Sequence, residues 1–98
     1  MSAYNVVRMR AKPGRLDELL GYWGDRPLHA GMTGLTVVRT GDRDICLIGC
    51  WTGMEALVAA RPAMIAELDR HRDKLEDLGR GRGVTDPVSG EAAVERRE

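Results

Sequence analysis

The chain has 98 residues, of which 43% are hydrophobic and 31% charged, and this size and composition predict a single globular domain. Its 15 basic and 15 acidic side chains cancel, and because the sequence shows no basic stripe we expect no nucleic-acid partner. The first residues lack the pattern of a signal peptide, and no apolar run reaches membrane-spanning length. We therefore expect a cytoplasmic protein without a membrane partner.

The first half of the sequence predicts a strand, a helix and a two-stranded hairpin. Residues 4–11 are rich in Val and alternate loosely, as in a strand. Leucines at helical spacing then predict an amphipathic helix over residues 13–24. Pro13 is acceptable at its first position, where a backbone N–H would have no helical partner. Residues 34–40 and 45–51 flank a short Gly/Asp turn, which predicts a hairpin.

The next segment predicts a long second helix. Thr52 and Glu55 form the pattern of a capping box, so we expect the helix to start there. Pro62 is expected to interrupt it or to split it in two. Apolar residues at spacings of three and four continue over residues 64–78, and Gly79 is the expected C-terminal cap.

The last predicted element is a fourth strand, at residues 84–88 or 91–94. The resulting order, β-α-β-β-α-β, is typical of ferredoxin-like α+β domains with a four-stranded antiparallel sheet. Both helices lie on one face of such a sheet. We expect one domain over residues 1–94 and a flexible tail at 95–98.

The third predicted strand has no polar face. Ile45, Leu47 and Trp51 would point to one side, and Ile48 and two cysteines to the other. A sheet with one solvated face would instead alternate apolar and charged residues. A chain this short also buries only about 60–65% of its unfolded surface, so its stability as a monomer is marginal. We therefore expect a homodimer in which a second copy covers the face opposite the helices.

Three motifs carry a resemblance to a known family. They are Lys-Pro-Gly-Arg at 12–15, Gly-Met-Thr-Gly-Leu at 31–35, and Trp-Thr-Gly-Met-Glu-Ala at 51–56 followed after a helix by His71 and Arg72. Together they resemble the antibiotic biosynthesis monooxygenase domain of the dimeric α/β barrel superfamily. In that family two ferredoxin-like subunits pack sheet to sheet, and each keeps a pocket between its sheet and its helices.

The resemblance also implies a set of activities. Some members oxidise aromatic polyketide or quinol substrates with O2 and need no metal or flavin, others bind and degrade haem, and many have no known reaction. Our leading hypothesis is therefore a cofactor-independent monooxygenase that acts on a small planar aromatic substrate. A non-catalytic dimer that binds a small hydrophobic ligand and a haem-binding or haem-degrading protein remain as alternatives.

Two residues are candidate catalytic groups. His71 lies in the apolar stripe of the predicted second helix, where a neutral imidazole could act as a general base. Asn5 lies inside the first strand, where Asn is disfavoured, on the face that we assign to the helices. Its amide could hold a substrate carbonyl or O2. Each side chain also has a structural alternative, in which it only satisfies a backbone group.

Five further side chains are candidates for substrate binding. Tyr22 and Trp23 on the first helix could stack on a planar substrate. His29 lies in a loop that could gate the pocket, and Arg39 lies near the end of the second strand. Trp51 ends the third strand. The structural alternatives are a core or pocket-wall position for the two tryptophans and a surface position for His29 and Arg39.

The haem-degrading members use an Asn on the first strand, a Trp on the second helix and a His further along that helix. Asn5 and His71 match two of these positions. Positions 59 and 60, where the helical Trp is expected, are both Ala. Haem degradation is therefore the minor alternative. The sequence shows no metal-ligand pattern, P-loop or Ser/His/Asp arrangement, so no bound metal is expected.

Overall fold

The computed structural model describes residues 2–98 and has the predicted order of elements. In chain order these are strand β1 (Ala3–Arg10), helix α1 (Leu16–Asp25), strands β2 (Met32–Arg39) and β3 (Asp44–Trp51), helix α2 (Met54–Asp69) and strand β4 (Asp86–Glu91). The strands form one antiparallel sheet in the order β2-β3-β1-β4. The expected ferredoxin-like α+β fold is confirmed.

The sheet register decides which residues share the face under the helices. Near one end of the central strands, Asn5 of β1 lies opposite Gly49 of β3 and opposite Ser89 of β4. Because side chains alternate along a strand, this row of three faces the helices together with the next residue but one on each strand. Asn5 Nδ2 lies 4.0 Å from the sulfur of Met64 on α2, which confirms the assignment of Asn5 to the helix side.

Helix α1 packs through an apolar stripe. Leu16, Leu19 and Trp23 recur at spacings of three and four and are buried against the helix face of β1 and β3. Full burial of one such side chain stabilises the fold by roughly 1.5–3 kcal/mol. The helix begins at Leu16 rather than at the predicted Pro13, because Gly14 adopts a φ of +79°, which lies outside the helical region.

Helix α2 differs from its prediction at both ends. Its N-cap is Gly53, and no side chain caps it, so the capping box of Thr52 and Glu55 is not formed. The Thr52 N–H donates instead to the carbonyl of Gly31 at 2.9 Å, which fastens the loop after α1 to the start of α2. Gly31 has a φ of +81°, and a Cβ there would lie 2.6 Å from that of Ala56, so only glycine fits this approach.

The second helix also ends at Asp69, not at the predicted Gly79. The following segment pairs with the end of β1: Leu75 bridges to Ala11, and Glu76 N donates to Arg10 O at 2.8 Å. Because these contacts need extended backbone, the helix stops before them, although the apolar residues continue at helical spacing in the sequence. His71 therefore follows the helix instead of lying on it, and begins a short 3-10 turn.

Pro62 lies inside α2 and neither interrupts nor splits it. Proline removes the hydrogen bond to the carbonyl four residues earlier, which belongs to Val58. Both residues are exposed, so water can satisfy the freed carbonyl.

The face of the sheet opposite the helices carries an apolar patch that is open in the single chain and lies beside the exposed Arg8 of β1. Val38 is 40% exposed and Val88 64%, and Val6 and Ile48 between them are half-buried. We call these four side chains the outer valine–isoleucine patch. Neither helix among residues 2–98 is long and apolar enough to cross a membrane.

Candidate functional site

A cavity of about 600 Å³ lies between the sheet and the two helices. Much of its wall is apolar and comes from β1, β2, β3 and α2, with the side chains of Val7, Met9, Leu35, Leu47, Leu57 and Met64. Its polar lining includes Asn5 and Ser89 on the sheet, and Arg61 and Glu67 on α2. A mostly apolar hollow with a few placed polar groups is the usual form of a small-molecule site.

Asn5 is held in one orientation by Trp51. The indole Nε1 donates a hydrogen bond of 2.7 Å to Asn5 Oδ1, and Trp51 is fully buried. An indole N–H can only donate, so the amide oxygen must face it and the NH2 group must point the other way. There the nearest acceptor is Met64 Sδ at 4.0 Å, a weak one. The Asn5 amide is therefore a fixed donor whose N–H groups are available to a ligand.

Gly49 makes room for this pair. It lies opposite Asn5, and a Cβ on Gly49 would clash with Asn5 Oδ1 and lie 3.1 Å from Trp51 Nε1. No other residue type fits beside the hydrogen bond as it stands. The glycine in the middle of an apolar strand is therefore the sequence signal of a close approach at the cavity floor.

Glu67 is a second buried polar group and was not predicted from the sequence. Its side chain is about one-tenth exposed, and Oε2 accepts a hydrogen bond of 2.6 Å from the Tyr22 hydroxyl. Arg26 Nε lies 2.6 Å from the same oxygen and forms an ion pair, although its N–H is not aligned for a hydrogen bond. Burial and the Glu67 carboxylate raise the pKa of Tyr22. We call Tyr22, Arg26 and Glu67 the carboxylate cluster.

His29 connects the two buried groups. Its ring stacks on Trp51, with centroids 6.2 Å apart and planes at 14°. Its Nε2 is buried and lies 3.6 Å from Glu67 Oε1, too far for a hydrogen bond. The structure thus places His29 between Trp51, which orients Asn5, and the carboxylate cluster.

His71 lies behind the cavity wall and does not line it. Its ring packs on Tyr22 at a centroid distance of 4.2 Å and on Trp23 at 5.9 Å. Burial and the nearby Lys74 ammonium lower the pKa of His71. Lys74 Nζ lies 3.1 Å from His71 Nδ1 and can only donate, so Nδ1 is the acceptor in this contact, while Nε2 is buried without a hydrogen-bond partner among residues 2–98.

The remaining predicted residues divide clearly. Trp23 is buried and lines the cavity. Tyr22 does not line it but donates a hydrogen bond to Glu67, which does. Arg39 is exposed and bonds to the carbonyls of Gly41 and Asp42 in the hairpin turn, so it lies outside the cavity. Sequence reasoning missed Arg26 and Glu67. The available signal was the position of Glu67 three residues after Met64, on the inward side of α2.

Comparison with family models and with curated protein sequences gives no match for this chain. Comparison with solved structures does. A Chloroflexus aurantiacus protein provisionally assigned as an antibiotic biosynthesis monooxygenase aligns over 99% of this chain and 98% of its own, with a TM-score of 0.72 and 14% identity.

Two further solved structures have named activities. SnoaB from Streptomyces nogalater, a cofactor-independent oxygenase, aligns over 99% of this chain and 98% of its own, with a TM-score of 0.65 and 16% identity. The haem degrader MhuD from Mycobacterium tuberculosis, solved with two haems in its active site, covers 97% of this chain and 99% of its own. Its TM-score is 0.61 and its identity 19%. The resemblance inferred from the sequence is therefore confirmed as a shared fold: this chain has the architecture of these three solved structures over nearly its whole length.

Proposed function

We propose that this chain is an oxygenase that oxidises a planar aromatic substrate with O2 and without a metal or organic cofactor. The observation that carries the proposal is the apolar cavity with the Asn5 amide fixed in its floor. Its volume suits a ligand of a few fused rings. The shared fold with SnoaB, itself named a cofactor-independent oxygenase, supports the same reaction class.

In this reaction the substrate supplies the electrons. Loss of a phenolic proton, or of one proton from the CH2 carbon of an anthrone, gives a delocalised anion with carbanion character, which transfers electrons to O2 and forms a C–O bond at that carbon. For an anthrone, the carbon gains one oxygen as a carbonyl, and the second oxygen leaves as water with the two hydrogens of the oxidised carbon. The Asn5 N–H groups would stabilise the oxygen on which negative charge develops.

The proton acceptor must be an ionisable group that reaches the cavity, and Glu67 meets this condition. Its Oε2 is occupied by Tyr22 and Arg26, whereas Oε1 accepts no hydrogen bond among residues 2–98. We propose Glu67 as the base. The predicted base, His71, would instead act as a positioning residue, because it supports Tyr22 from behind the cavity wall.

We further propose that the working form is a homodimer. The outer valine–isoleucine patch is the apolar surface that a second copy would cover, sheet against sheet. Burial of this patch would add to the core of a small domain, and the cavity on the opposite face would stay separate in each subunit.

The test is incubation of metal-free protein with a panel of hydroquinones and anthrones, aerobically and anaerobically. We expect O2-dependent turnover, with one atom of ¹⁸O2 in the product. Asn5→Leu should lower kcat at least about tenfold, since loss of an oxyanion-site donor costs about 10²–10³ in kcat in other enzymes. Arg39→Gln, outside the cavity, should retain activity.

Other outcomes identify the alternatives. Thermal stabilisation by these aromatics without turnover would indicate a binding protein instead of an enzyme. A Soret shift on titration with haem would indicate haem binding. Either result, with no turnover across the panel, contradicts the proposed reaction.

A further inference from the structure

Three hydrogen-bond donors meet at one end of the cavity. Asn5 and Ser89 are direct neighbours on adjacent strands, and both side chains face the helices. From above, Arg61 of α2 donates from Nη2 to Ser89 Oγ at 3.1 Å. Met64, whose sulfur lies 4.0 Å from Asn5 Nδ2, is one helical turn after Arg61 and places it over the same part of the sheet. We call Asn5, Ser89 and Arg61 the donor cluster.

The charge at this end of the cavity is uncompensated. Two further arginines line the cavity, but each has an acidic partner. Arg26 pairs with Glu67 at 2.6 Å, and Arg72 pairs with Asp69 at 2.7 Å. Arg61 forms no ion pair in the part of the chain that the structure describes. Its only side-chain partner there is a neutral hydroxyl.

The hydroxyl of Ser89 is itself available to a ligand. Because its oxygen accepts the Arg61 bond, its hydrogen is free to donate. The guanidinium has further N–H groups, which match both oxygens of a carboxylate. The Asn5 N–H groups complete a set of three groups that can all donate hydrogen bonds to a ligand. One of them, the Arg61 guanidinium, is positively charged. An apolar hollow that ends in such a set complements an aromatic body with one anionic edge.

We propose that the substrate is an aromatic carboxylate whose acid group is bound by Arg61 and Ser89. This inference rests on the proposed function for the reaction, but the binding it describes is independent of turnover. Since Asn5 is adjacent to Ser89, the carboxylate and the reacting carbon lie on the same edge of the substrate. A carboxylate bound by Arg61 and Ser89 would thereby determine which ring position of the substrate faces the Asn5 amide.

The experiment compares a matched pair of ligands, 1-hydroxy-2-naphthoate and its neutral amide, 1-hydroxy-2-naphthamide. Their Kd values are measured by calorimetry under anaerobic conditions, so that no oxidation occurs. We expect the wild type to bind the acid at least about tenfold more tightly than the amide, as a charge-assisted hydrogen bond allows. Arg61→Gln should reduce this preference to less than about twofold, and Arg61→Lys should keep part of it.

Arg15→Gln is the control for a general loss of positive charge, because Arg15 is a half-buried residue immediately before α1 that pairs with Glu18 and does not line the cavity. It should retain the full preference for the acid. Circular dichroism and thermal melting of each variant establish that it is folded, which the exposed position of Arg61 favours.

Equal affinity for acid and amide in the wild type, no binding of either, or an unchanged preference in Arg61→Gln would each overturn the inference. These results are distinguishable from failure of the proposed function. Turnover of neutral aromatics without a preference for acids would support the oxygenase activity and contradict the carboxylate site. Acid-selective binding without any turnover would support the carboxylate site and contradict the oxygenase activity.

Discussion

Trp51 Nε1 and Asn5 Oδ1 are joined by a 2.7 Å hydrogen bond, so a fully buried indole sets the direction in which a cavity-lining amide donates. The two residues lie near one end of neighbouring strands, and the bond crosses from β3 to β1 above Gly49. The amide at the cavity floor is therefore oriented before any ligand arrives, which is what electrostatic stabilisation of a developing charge requires.

Trp51→Phe tests this relationship. The change removes the indole donor to Asn5 Oδ1 and leaves this half-buried acceptor without its protein partner, which costs up to about 1–3 kcal/mol in unfolding free energy. The freed amide can also rotate, so kcat on the best aromatic substrate should fall while KM changes less. Urea unfolding and steady-state kinetics measure the two effects. Wild-type stability together with wild-type kcat would show that the indole does not orient the amide.

Gly49→Ala should disturb the same pair from the other side. The new methyl group would meet Asn5 Oδ1, and overpacking of this kind costs about 1–3 kcal/mol. Gly34→Ala is the matched control, since a Cβ on that β2 glycine would have no neighbour within 4 Å among the residues that the structure describes. Chemical denaturation should separate the two variants. Equal stability would mean that the Asn5 side chain moves aside freely.

Loss of the buried carboxylate should destabilise the fold. Glu67→Gln leaves the Arg26 guanidinium, 9% exposed, without its partner charge, and removal of one member of a buried pair costs about 3–5 kcal/mol. Asp69→Asn, which alters the exposed ion pair between Asp69 and Arg72 at the end of α2, should change the melting temperature little. If both substitutions shift the melting temperature equally, the carboxylate cluster contributes no more than a surface pair.

The buried His71 predicts a pH dependence of stability. Its pKa in the folded chain is lowered, mainly by burial, from the ordinary value of 6.5. The unfolded chain therefore binds a proton first as the pH falls, so stability is complete above about pH 6.5 and declines below it.

Unfolding free energies at pH 7.5 and pH 5.5 for wild type and His71→Phe measure this contribution. Carboxylates with lowered pKa values, such as Glu18, lose their stabilisation in both chains, so they cancel in the comparison. We expect a smaller decline in the variant. Parallel declines would indicate that the imidazole is protonated as easily in the folded chain as in the unfolded one.

The proposed dimer has a direct test on the outer valine–isoleucine patch. Val38→Arg combined with Val88→Arg places two charges on the exposed sheet face, and sedimentation should show a monomer where the wild type is a dimer. Val58→Arg, at a comparably exposed valine on α2, should leave the dimer intact. A monomeric wild type at micromolar concentration would contradict the proposal.

Much of the fold follows from local patterns in the sequence. The strand alternation, the Leu16–Trp23 stripe and the Gly/Asp hairpin turn each depend on neighbours in the chain, so element order and sheet topology were predictable. The end of α2 was not, because the backbone of Leu75 pairs with Ala11 from the other end of the chain. A tertiary pairing overrides the helical periodicity there.

The candidate site divides in the same way. Asn5 is conspicuous because an amide is unusual inside a strand, and the structure places it at the cavity floor. Arg26 lies in a loop with no periodicity, and its contact with Glu67 depends on how that loop folds over α2. His71 was inferred from an apolar stripe that continues in the sequence beyond the end of α2. The residue is buried, as expected, but its side chain lies behind the cavity wall and does not face the cavity.

The attachment of Gly31 to Thr52 and Ala56 has a consequence for ligand entry. The loop that carries Arg26 and His29 is short, ends at α1 on one side and is pinned to α2 on the other. Outward movement of this loop would separate Arg26 from Glu67 and unstack His29 from Trp51 at the same time. Access by that route is therefore coupled to rupture of a buried ion pair, and ligands that enter beside Arg61 and Ser89 avoid this barrier.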